Sequence, residues 1–441
     1  MHKILIANRG AIARRVIRSA HKLGLETVAI YSEADAAAPY LAEATHAYSL
    51  KGFRAEESYL DQDQLFQVLQ DSGADAVHPG YGFLSEHAGF ADEVRKRDAT
   101  FIGPSSKLIT DMGDKVSARK KISALGFPIF AGSDLVDEKA ALVAAEQMGY
   151  PLLIKPSGGG GGLGMIRCAN EEQLKVGLAQ ARAVAERAFA SSGVYLERYI
   201  QKPRHVEFQI LGDGRGGAIH AFERDCSIQR RNQKLIEESP APGLDEGWLL
   251  EQADKAAAAC AKLNYDNAGT LETLVGADND IGFLEMNTRI QVEHGVTEGI
   301  TGMDLVAEQI RLAQGAPLPA NPKRSGHAIE ARIYAEDSQT LLPSTGRISV
   351  YRPPKMHAVR VETGYGEGQE VTPYYDAMLA KVIAHAPTRE LAIGRLSVAL
   401  QAFEIKGVRT NQALLLSILG HADFLAGKVD TQLLERMRGG S

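Results

Sequence analysis

The stretch Glu285-Met286-Asn287-Thr288-Arg289-Ile290-Gln291-Val292-Glu293 alternates between charged or amide residues and apolar residues or threonine. In a strand, successive side chains point to opposite faces, so such a pattern predicts a strand with two unlike faces. One face is then wholly polar or charged and consists of Glu285, Asn287, Arg289, Gln291 and Glu293.

A second strand, 270–275, precedes this stretch and is joined to it through the turn-rich residues 277–280. If those four residues form a hairpin loop, Glu272 lies directly opposite Glu285. Like charges in that arrangement destabilise a strand pair, so they require a cation between them or water on that face. Carboxylate and amide oxygens suit Mg²⁺. Two interpretations remain at this point: a metal site, or a solvated edge with an incidental glutamate pair.

Composition limits the class of protein. The chain has 441 residues, 44% of them hydrophobic, which predicts two to four domains. A net charge of -6 gives no basic footprint for nucleic acid. No window approaches the run of about 18 apolar residues that a membrane span requires, and the N-terminus lacks the layout of a signal peptide, so we expect a cytoplasmic protein. Cys168, Cys226 and Cys260 are widely separated, which argues against disulfides or zinc.

The first 112 residues predict an open parallel α/β sheet. Short apolar strands at 3–7, 27–31, 74–78 and 100–102 alternate with helical segments. No G-x-G-x-x-G motif is present, so a dinucleotide is not indicated. The segment 79–83 follows a strand, where such sheets form ligand crevices, although a tight structural turn is an equal alternative.

A glycine run follows a strand that ends in Lys155. Gly158–Gly162 are five consecutive glycines, and ordering them costs much conformational entropy. Bare backbone N–H groups can close over phosphate oxygens while Lys155 neutralises their charge. A flexible linker is the alternative, but strands bracket this run. It is not a P-loop, since no G-K-[ST] closes it.

Further strands are predicted at 193–200, 205–211 and 218–224. The cationic stretch 225–234 that follows is either a solvated loop or, through Lys234 and its arginines, an anion site. The proline-rich segment 317–322 indicates a boundary before a small C-terminal α+β unit.

Together these parts resemble the ATP-grasp architecture, and over essentially its whole length the chain resembles the biotin carboxylases. The stretches that carry the resemblance are Ala7-Asn8-Arg9-Gly10, His78-Pro79-Gly80-Tyr81-Gly82-Phe83-Leu84-Ser85-Glu86, Met112-Gly113-Asp114-Lys115, the glycine run, Pro203-Arg204-His205-Val206-Glu207, Glu223-Arg224-Asp225-Cys226-Ser227, Gln229-Arg230-Arg231, 285–294 and Tyr374-Tyr375-Asp376-Ala377-Met378. The resemblance implies a mixed α/β and α+β fold. Its expected parts are an N-terminal open parallel α/β domain (1–112), an ATP-grasp domain (113–315) with a mobile glycine-rich lid at about 130–201, and a C-terminal biotin carboxylase domain (323–432).

The resemblance also implies a nucleotide site and a metal site. The residues expected to contact ATP phosphates are Lys115, Lys155, Gly161 and Gly162. Those expected around the adenine are Glu197, Arg198, Tyr199 and Ile200, and those on the ribose side are His205, Gln229 and Asn232. The residues expected to hold Mg²⁺ or Mn²⁺ are Glu272, Glu285 and Asn287.

Bicarbonate is expected to bind Lys234, Arg289 and the backbone of Val292. By the same resemblance, Glu293 removes its proton, so that its oxygen attacks the ATP γ-phosphate and gives carboxyphosphate. Arg332 is expected to stabilise the biotin enolate that captures the resulting CO₂. Cations that hold an anion, a metal that spreads phosphoryl charge and a carboxylate base suit this chemistry.

Several positions depart from the usual family pattern. Leu163 and Ile166 stand where basic residues are usual, Asn232 replaces a histidine, Gly295 a proline and Ala11 a glutamate. Leu163, Asn232 and Gly295 resemble the carboxylase component of urea-carboxylase-type enzymes more than that of acetyl-CoA carboxylase. The final carboxyl acceptor therefore stays open.

The chain carries no Ala/Val-Met-Lys-Met biotinylation site. Biotin is therefore expected on a separate carboxyl carrier protein, with carboxyltransferase subunits as further partners, unless the chain is a fragment. Homodimerisation through the first and last domains is also expected, with Arg15 and Arg18 on the helix involved. Two other functions compete: another ATP-grasp ligase that activates a different carboxylate, and a nucleotide-sensing regulatory subunit without chemistry.

Overall fold

The computed structural model describes residues 1–158, 162–189 and 193–439. Gly161 lies outside these ranges, so its predicted phosphate contact cannot be compared with the structure. Among the helices described, none combines the length and the apolar character that crossing a membrane requires.

The N-terminal unit is the predicted parallel sheet, with strand order β3-β2-β1-β4-β5. Its elements are β1 (Lys3–Ile6), α1 (Gly10–Lys22), β2 (Glu26–Tyr31), α2 (Tyr40–Glu43), β3 (His46–Ser49), α3 (Gln62–Ser72), β4 (Ala76–His78), α4 (Ala88–Lys96), β5 (Thr100–Phe101) and α5 (Ser106–Gly113). Helix α1 buries Ile12, Val16 and Ile17 against the sheet, whereas Leu23, beyond its end, is exposed. The sequence reasoning missed β3, whose residues are mostly exposed and therefore lack an apolar pattern.

A second unit follows α6 (Lys115–Ala124) and has its own antiparallel sheet, in the order β6-β9-β7-β8. Its elements are β6 (Gly132–Leu135), α7 (Glu138–Met148), β7 (Leu152–Pro156), β8 (Ile166–Cys168), α8 (Glu171–Phe189) and β9 (Val194–Arg198). Leu174 and Leu178 of α8 pack on Leu152 and Ile154 in a separate hydrophobic core. This unit occupies the range predicted for the lid and has a hydrophobic core of its own; its mobility stays a prediction.

The remaining chain builds an eight-stranded antiparallel sheet in the order β14-β13-β10-β11-β12-β15-β20-β18. Its elements, with the helices and short strands around it, are β10 (Arg204–Asp213), β11 (Ala218–Arg230), β12 (Gln233–Ser239), α9 (Glu246–Lys262), β13 (Asp266–Val275), β14 (Ile281–Asn287), α10 (His294–Thr301), α11 (Leu305–Ala313), β15 (His327–Tyr334), β16 (Gly346–Arg347), β17 (Val350–Arg352), β18 (Val359–Glu362), β19 (Glu370–Val371), β20 (Met378–Ala386), α12 (Arg389–Ala402), β21 (Glu404–Lys406), α13 (Gln412–Leu419), α14 (Ala422–Leu425) and α15 (Leu433–Met437).

This sheet continues across the predicted boundary at 317–322. Strand β12 pairs with β15, so that Ile236 faces Ala331 and Glu237 faces Glu330. The C-terminal strands therefore extend the same sheet, and side chains from both sides of the boundary reach one surface. The domain limits themselves stay predictions.

The cationic stretch 225–234 is not a solvated loop. It forms the end of β11 and the start of β12, with Gln229 opposite Lys234. Arg231 and Asn232 make the two-residue turn between them, with φ of 47° and 65°. Positive φ at both central residues is typical of the type I′ turn, whose twist matches that of the flanking strands. Lys234 is thereby held on a strand beside the site.

Candidate active site

Glu272 and Glu285 are opposite one another on β13 and β14, which confirms the predicted pairing. The predicted loop, however, was one residue too short. Val275, not Gly276, faces Ile281, and the amide of Gly276 donates to the carbonyl of Asp280 at 2.7 Å. A β-bulge between Thr273 and Glu272 then restores the register, because it leaves an extra residue in β14.

The prediction that the strand extends to Glu293 was wrong, because β14 ends at Asn287. Side chains rather than a strand partner hold the next residues. The amide of Thr288 donates to Glu86 Oε1 at 3.0 Å, and His294 Nδ1 lies 2.7 Å from the carbonyl of Gln291. The period-two alternation therefore does not explain why the last polar residues face the site.

A single cavity of about 1010 Å³ collects the predicted site residues that the structure describes. These are Lys115, Lys155, Gly162, Glu197, Arg198, Tyr199, Ile200, His205, Gln229, Asn232, Lys234, Glu272, Glu285, Asn287, Arg289, Val292, Glu293 and Arg332. Tyr81, Gly82 and Phe83 also line it, so the turn after β4 contributes to the crevice. The same turn has a structural role, since Asn8 Nδ2 donates to the carbonyl of Tyr81 at 2.7 Å.

The two lysines predicted for phosphate both have carboxylate partners. Lys115 Nζ lies 2.7 Å from Glu285 Oε2, and Lys155 Nζ lies 2.5 Å from Glu197 Oε1. Arg119 binds the other oxygen of Glu197, whose side chain is buried. Both carboxylate oxygens of Glu197 therefore bind cations of the protein. Contact between Glu197 and a ligand is left to the main chain of this residue.

The solvated-edge interpretation of the glutamate pair is wrong for Glu272, which is 5% exposed. Its Oε1 accepts hydrogen bonds from Lys234 at 3.0 Å, Asn287 Nδ2 at 2.9 Å and Gln291 Nε2 at 2.7 Å. Its Oε2 lies 3.0 Å from His205 Nε2. Burial opposes ionisation, but the charges of Lys234 and His205 outweigh it and lower the pKa of Glu272 well below its ordinary value.

These residues fit a hard divalent cation. Two carboxylates, Glu272 and Glu285, face each other, and the amide oxygen of Asn287 accepts from Arg289 Nη2 at 2.8 Å on the same side. Oxygen donors of this kind suit Mg²⁺ or Mn²⁺. Lys115 pairs with Glu285 and Lys234 pairs with Glu272, so these two lysines offset the repulsion between the two carboxylates.

Glu293 is 1% exposed and lies between two cations. Lys234 Nζ is 2.6 Å from its Oε1, and Arg332 Nη2 is 3.0 Å from its Oε2. Burial raises the pKa of Glu293, but Lys234, Arg332 and Arg224 together lower it well below the ordinary value. The side chain is therefore an ionised carboxylate that can accept a proton once a substrate anion draws its cations away.

Lys234 contacts carboxylates of both the predicted metal site and the predicted base. Its ammonium contacts Glu207 at 2.7 Å, in addition to Glu272 and Glu293. Burial alone lowers the pKa of this lysine, but the charges of the three carboxylates outweigh it and raise the pKa well above the ordinary value. Lys234 is thus a permanently charged group able to bind an anion.

Arg289 is held on three sides. Its Nε donates to Glu86 Oε2 at 2.9 Å, and its two terminal nitrogens donate to Gln291 Oε1 and Asn287 Oδ1, both at 2.8 Å. Such a planar fork is oriented before any ligand binds, which favours recognition of a small planar oxyanion.

Sequence reasoning missed several residues of this network. Glu207 could have been found, since it follows His205 by two positions and therefore shares its strand face. Glu237 lies 2.5 Å from Arg332 Nη2. Neither Glu237 nor Glu86 nor Arg119 had such a signal, because their partners are distant in the chain. Cys226 was interpreted as structural; its Sγ lies 3.9 Å from Glu293 Oε1, and burial raises the pKa of this thiol, so it is protonated.

The departures from the family pattern make specific contacts. Gly162 has φ of 74°, and a Cβ there would lie 2.1 Å from Asn232 Nδ2, so the lid packs directly on the hairpin turn. Leu163 lines the cavity and is 54% exposed. At Gly295, a Cβ would lie 2.7 Å from Arg360 Nη2, which donates to the carbonyl of Gly295 at 3.3 Å.

Two lysines near a glycine-rich segment, an opposed pair of glutamates and a buried carboxylate between cations are the arrangement of an ATP-grasp enzyme. Three family models match the chain in order: biotin carboxylase, N-terminal domain (1–109), carbamoyl-phosphate synthase L chain, ATP binding domain (114–321), and biotin carboxylase C-terminal domain (330–436). The chain belongs to the biotin carboxylase family.

Relatives of known name agree over nearly full length. The chain is 45% identical to biotin carboxylase 2 of Bacillus subtilis, covering 98% of this chain and 99% of that protein. It superposes with a TM-score of 0.96 on the Campylobacter jejuni biotin carboxylase–βγ-ATP complex, at 42% identity and 98% coverage of both chains. It matches equally, at 0.96, the biotin carboxylase domain dimer of Hydrogenobacter thermophilus 2-oxoglutarate carboxylase in complex with MgADP, ADP and bicarbonate, at 43% identity, covering 99% of this chain and 98% of that one.

Proposed function

We propose that this chain is the biotin-carboxylating component of a biotin-dependent carboxylase, which uses ATP and bicarbonate to carboxylate biotin on a carrier protein. The observation that carries this proposal is the position of Glu293, whose carboxylate lies within 3.0 Å of both Lys234 and Arg332. Lys234 also contacts Glu272 of the glutamate pair, so it links Glu293 to the predicted metal site. Arg332 contacts the other carboxylate oxygen of Glu293.

Bicarbonate activation is assigned to the end near Lys234. Lys234, Arg289 and the amide of Val292 bind the anion, and this competes with Glu293 for the ammonium of Lys234. The freed carboxylate then takes the bicarbonate proton. The resulting oxyanion attacks the γ-phosphorus of ATP, with ADP as the leaving group, and gives carboxyphosphate, which breaks down to CO₂ and phosphate. The released phosphate takes the ring N–H proton of biotin, Arg332 holds the resulting enolate oxygen, and the ring nitrogen captures CO₂.

The nucleotide is assigned to the lid side of the cavity. Lys115 and Lys155 face its phosphates, and the amides of Gly161 and Gly162 cover them. The main chain of Glu197 to Ile200 borders the adenine, with Gln229 and His205 toward the ribose. Mg²⁺ or Mn²⁺ bound by Glu272, Glu285 and Asn287 would neutralise phosphate charge during transfer.

Carboxyl carrier protein and carboxyltransferase subunits are the proposed partners. The acceptor is acetyl-CoA, another acyl-CoA, or urea, and Leu163, Asn232 and Gly295 favour a urea-carboxylase-like system. A homodimer is also proposed, in line with the dimeric Hydrogenobacter neighbour. On α1, Arg18 is 48% exposed and pairs with Glu43 at 2.8 Å, whereas Arg15 is buried and binds Glu298 and Asp304.

The test is ADP release by the purified chain with Mg²⁺ and ATP, with and without bicarbonate and free biotin. We expect turnover that depends on both, and formation of carboxybiotin. Turnover with a different acid that survives Arg332→Met would favour another ATP-grasp ligase instead. ATP binding with no hydrolysis at saturating bicarbonate and biotin would favour a regulatory subunit. Presenting candidate carrier proteins to the active enzyme then identifies the partner complex.

A further inference from the structure

Arg332 on β15 and Lys381 on β20 are direct cross-strand partners. Residues opposite one another on paired strands project from the same face. Arg332 reaches the side chain of Glu293, at 3.0 Å from its Oε2. Lys381 reaches the main chain just before it, because its Nζ donates to the carbonyl of Val292. Two C-terminal cations therefore hold Glu293, one at its carboxylate and one at its backbone.

Lys381 is an unusual residue for its position, since it is 1% exposed. Its ammonium lies 2.8 Å from Glu362 Oε2 and 3.6 Å from Glu330 Oε2. A buried ion pair contributes little net stability compared with well-packed apolar side chains of similar volume. Packing alone therefore does not explain a charged residue here, and its third contact, to Val292, connects it with the site.

The segment that Lys381 contacts lies outside the strand ladder, because β14 ends at Asn287. Two of its peptide planes are set by side chains. His294 Nδ1 lies 2.7 Å from the carbonyl of Gln291, which belongs to the peptide that carries the Val292 N–H. Lys381 holds the next peptide, which links Val292 to Glu293. The direction in which the Glu293 side chain leaves the backbone depends on that second plane.

We propose that Lys381 is a positioning residue for proton transfer from bicarbonate, acting through the Val292–Glu293 peptide to aim the Glu293 carboxylate. This inference rests on the proposed role of Glu293 as the base. Lys381 itself touches no substrate. Its loss is expected to impair the step that uses Glu293 while leaving the nucleotide side of the cavity intact.

The test compares Lys381→Met, Lys381→Arg and the control Arg389→Met. Arg389 is likewise a mostly buried cation that binds a glutamate, Glu238, at 2.7 and 2.9 Å, but it does not line the cavity described above. Three quantities are measured on the full chain: kcat/KM for bicarbonate, the dissociation constant of ATP, and the unfolding temperature. Misplacing a catalytic group by about 1 Å can cost about 100-fold in rate.

We expect K381M to lower kcat/KM for bicarbonate by about 10- to 100-fold with ATP affinity unchanged, and K381R to lie between K381M and the wild type. R389M is expected to lower the unfolding temperature without a bicarbonate defect. Wild-type bicarbonate kinetics in K381M, or equal loss of ATP and bicarbonate binding, would overturn the proposal. If K381M does not fold, K381R decides, and wild-type kinetics there also overturn it. A wild-type chain without bicarbonate-dependent turnover would instead contradict the proposed function.

Discussion

Glu272 lies directly opposite Glu285 at the point where a β-bulge interrupts the pairing of β13 with β14. The bulge leaves Thr273 opposite Phe283, so Leu284 is the extra residue. Without it, the partner of Glu272 would be Leu284, and Glu285 would move to the opposite face of the strand. The bulge therefore brings the two carboxylates together.

For the metal site, we predict that Glu285→Gln raises the Mg²⁺ concentration that gives half-maximal turnover by at least about 10-fold, a loss typical even of residues that only support metal ligands. The amide keeps the shape and a contact to Lys115 but removes the charge. Asp111→Asn is the control, because Asp111 on α5 also binds two lysines, Lys107 at 2.7 Å and Lys121 at 2.5 Å. An equal Mg²⁺ requirement in both variants would rule out Glu285 as a ligand.

For the base, we predict that Glu293→Gln lowers kcat by about 100- to 10,000-fold, the usual contribution of a general base. ATP affinity should persist, because Lys115 and Lys155 are unaffected. Glu308→Gln on α11 serves as the control; Glu308 pairs only loosely with Arg311, at 3.8 Å. Retention of most bicarbonate-dependent turnover in E293Q would disprove the assignment.

For the lid, we predict that Gly162→Ala weakens ATP binding, because the new Cβ collides with Asn232. Gly24→Ala controls for backbone strain: both glycines have φ of 74°, but nothing lies within 4 Å of a Cβ at Gly24. A left-handed alanine costs about 1–2 kcal/mol in either place. Adding Asn232→Gly should restore part of the ATP affinity, since glycine suits the turn. An ATP dissociation constant that is the same in G162A and G24A would contradict this explanation.

For the buried carboxylates, we predict that the free energy of unfolding depends on pH and that Glu330→Gln weakens this dependence. Burial raises the pKa of Glu330 from 4.5 to about 8 and that of Glu237, its cross-strand partner, to about 7. Lys381 and Arg332 oppose this rise, whereas Glu362 adds to it.

The folded state therefore keeps a proton that the unfolded state releases, so the free energy of unfolding falls as pH rises from 4.5 to about 8. One such group contributes at most about 1.4 kcal/mol per pH unit. Thermal unfolding at several pH values should show a shallower decline in E330Q, and D111N should match the wild type. A slope in E330Q equal to that of the wild type would refute the prediction.

The pairing of Glu272 with Glu285 was predicted correctly only because the bulge offset a predicted loop that was one residue too short. Local patterns were sufficient to predict the parallel N-terminal sheet and the position of Lys155 at the end of a strand before the glycine run. Each depends on periodicity or on chain neighbours, which a sequence displays directly. The predicted path of the chain was wrong where long-range side-chain contacts, rather than hydrogen bonds between strands, hold the backbone. Beyond Asn287, Glu86 and Lys381 hold the backbone, and they lie about two hundred residues before it and about ninety residues after it.

The sequence by itself determined which chemical groups this protein has: a glycine run after Lys155, the carboxylates of Glu272, Glu285 and Glu293, and the cations Lys234 and Arg332. Only the tertiary structure decided how those groups are charged and aimed. Glu293 is ionised because Lys234 and Arg332 converge on it from β12 and β15, and its backbone is oriented by Lys381 from β20. Electrostatic interactions depend on distance through space, and folding brings together residues whose separation along the chain carries no such information.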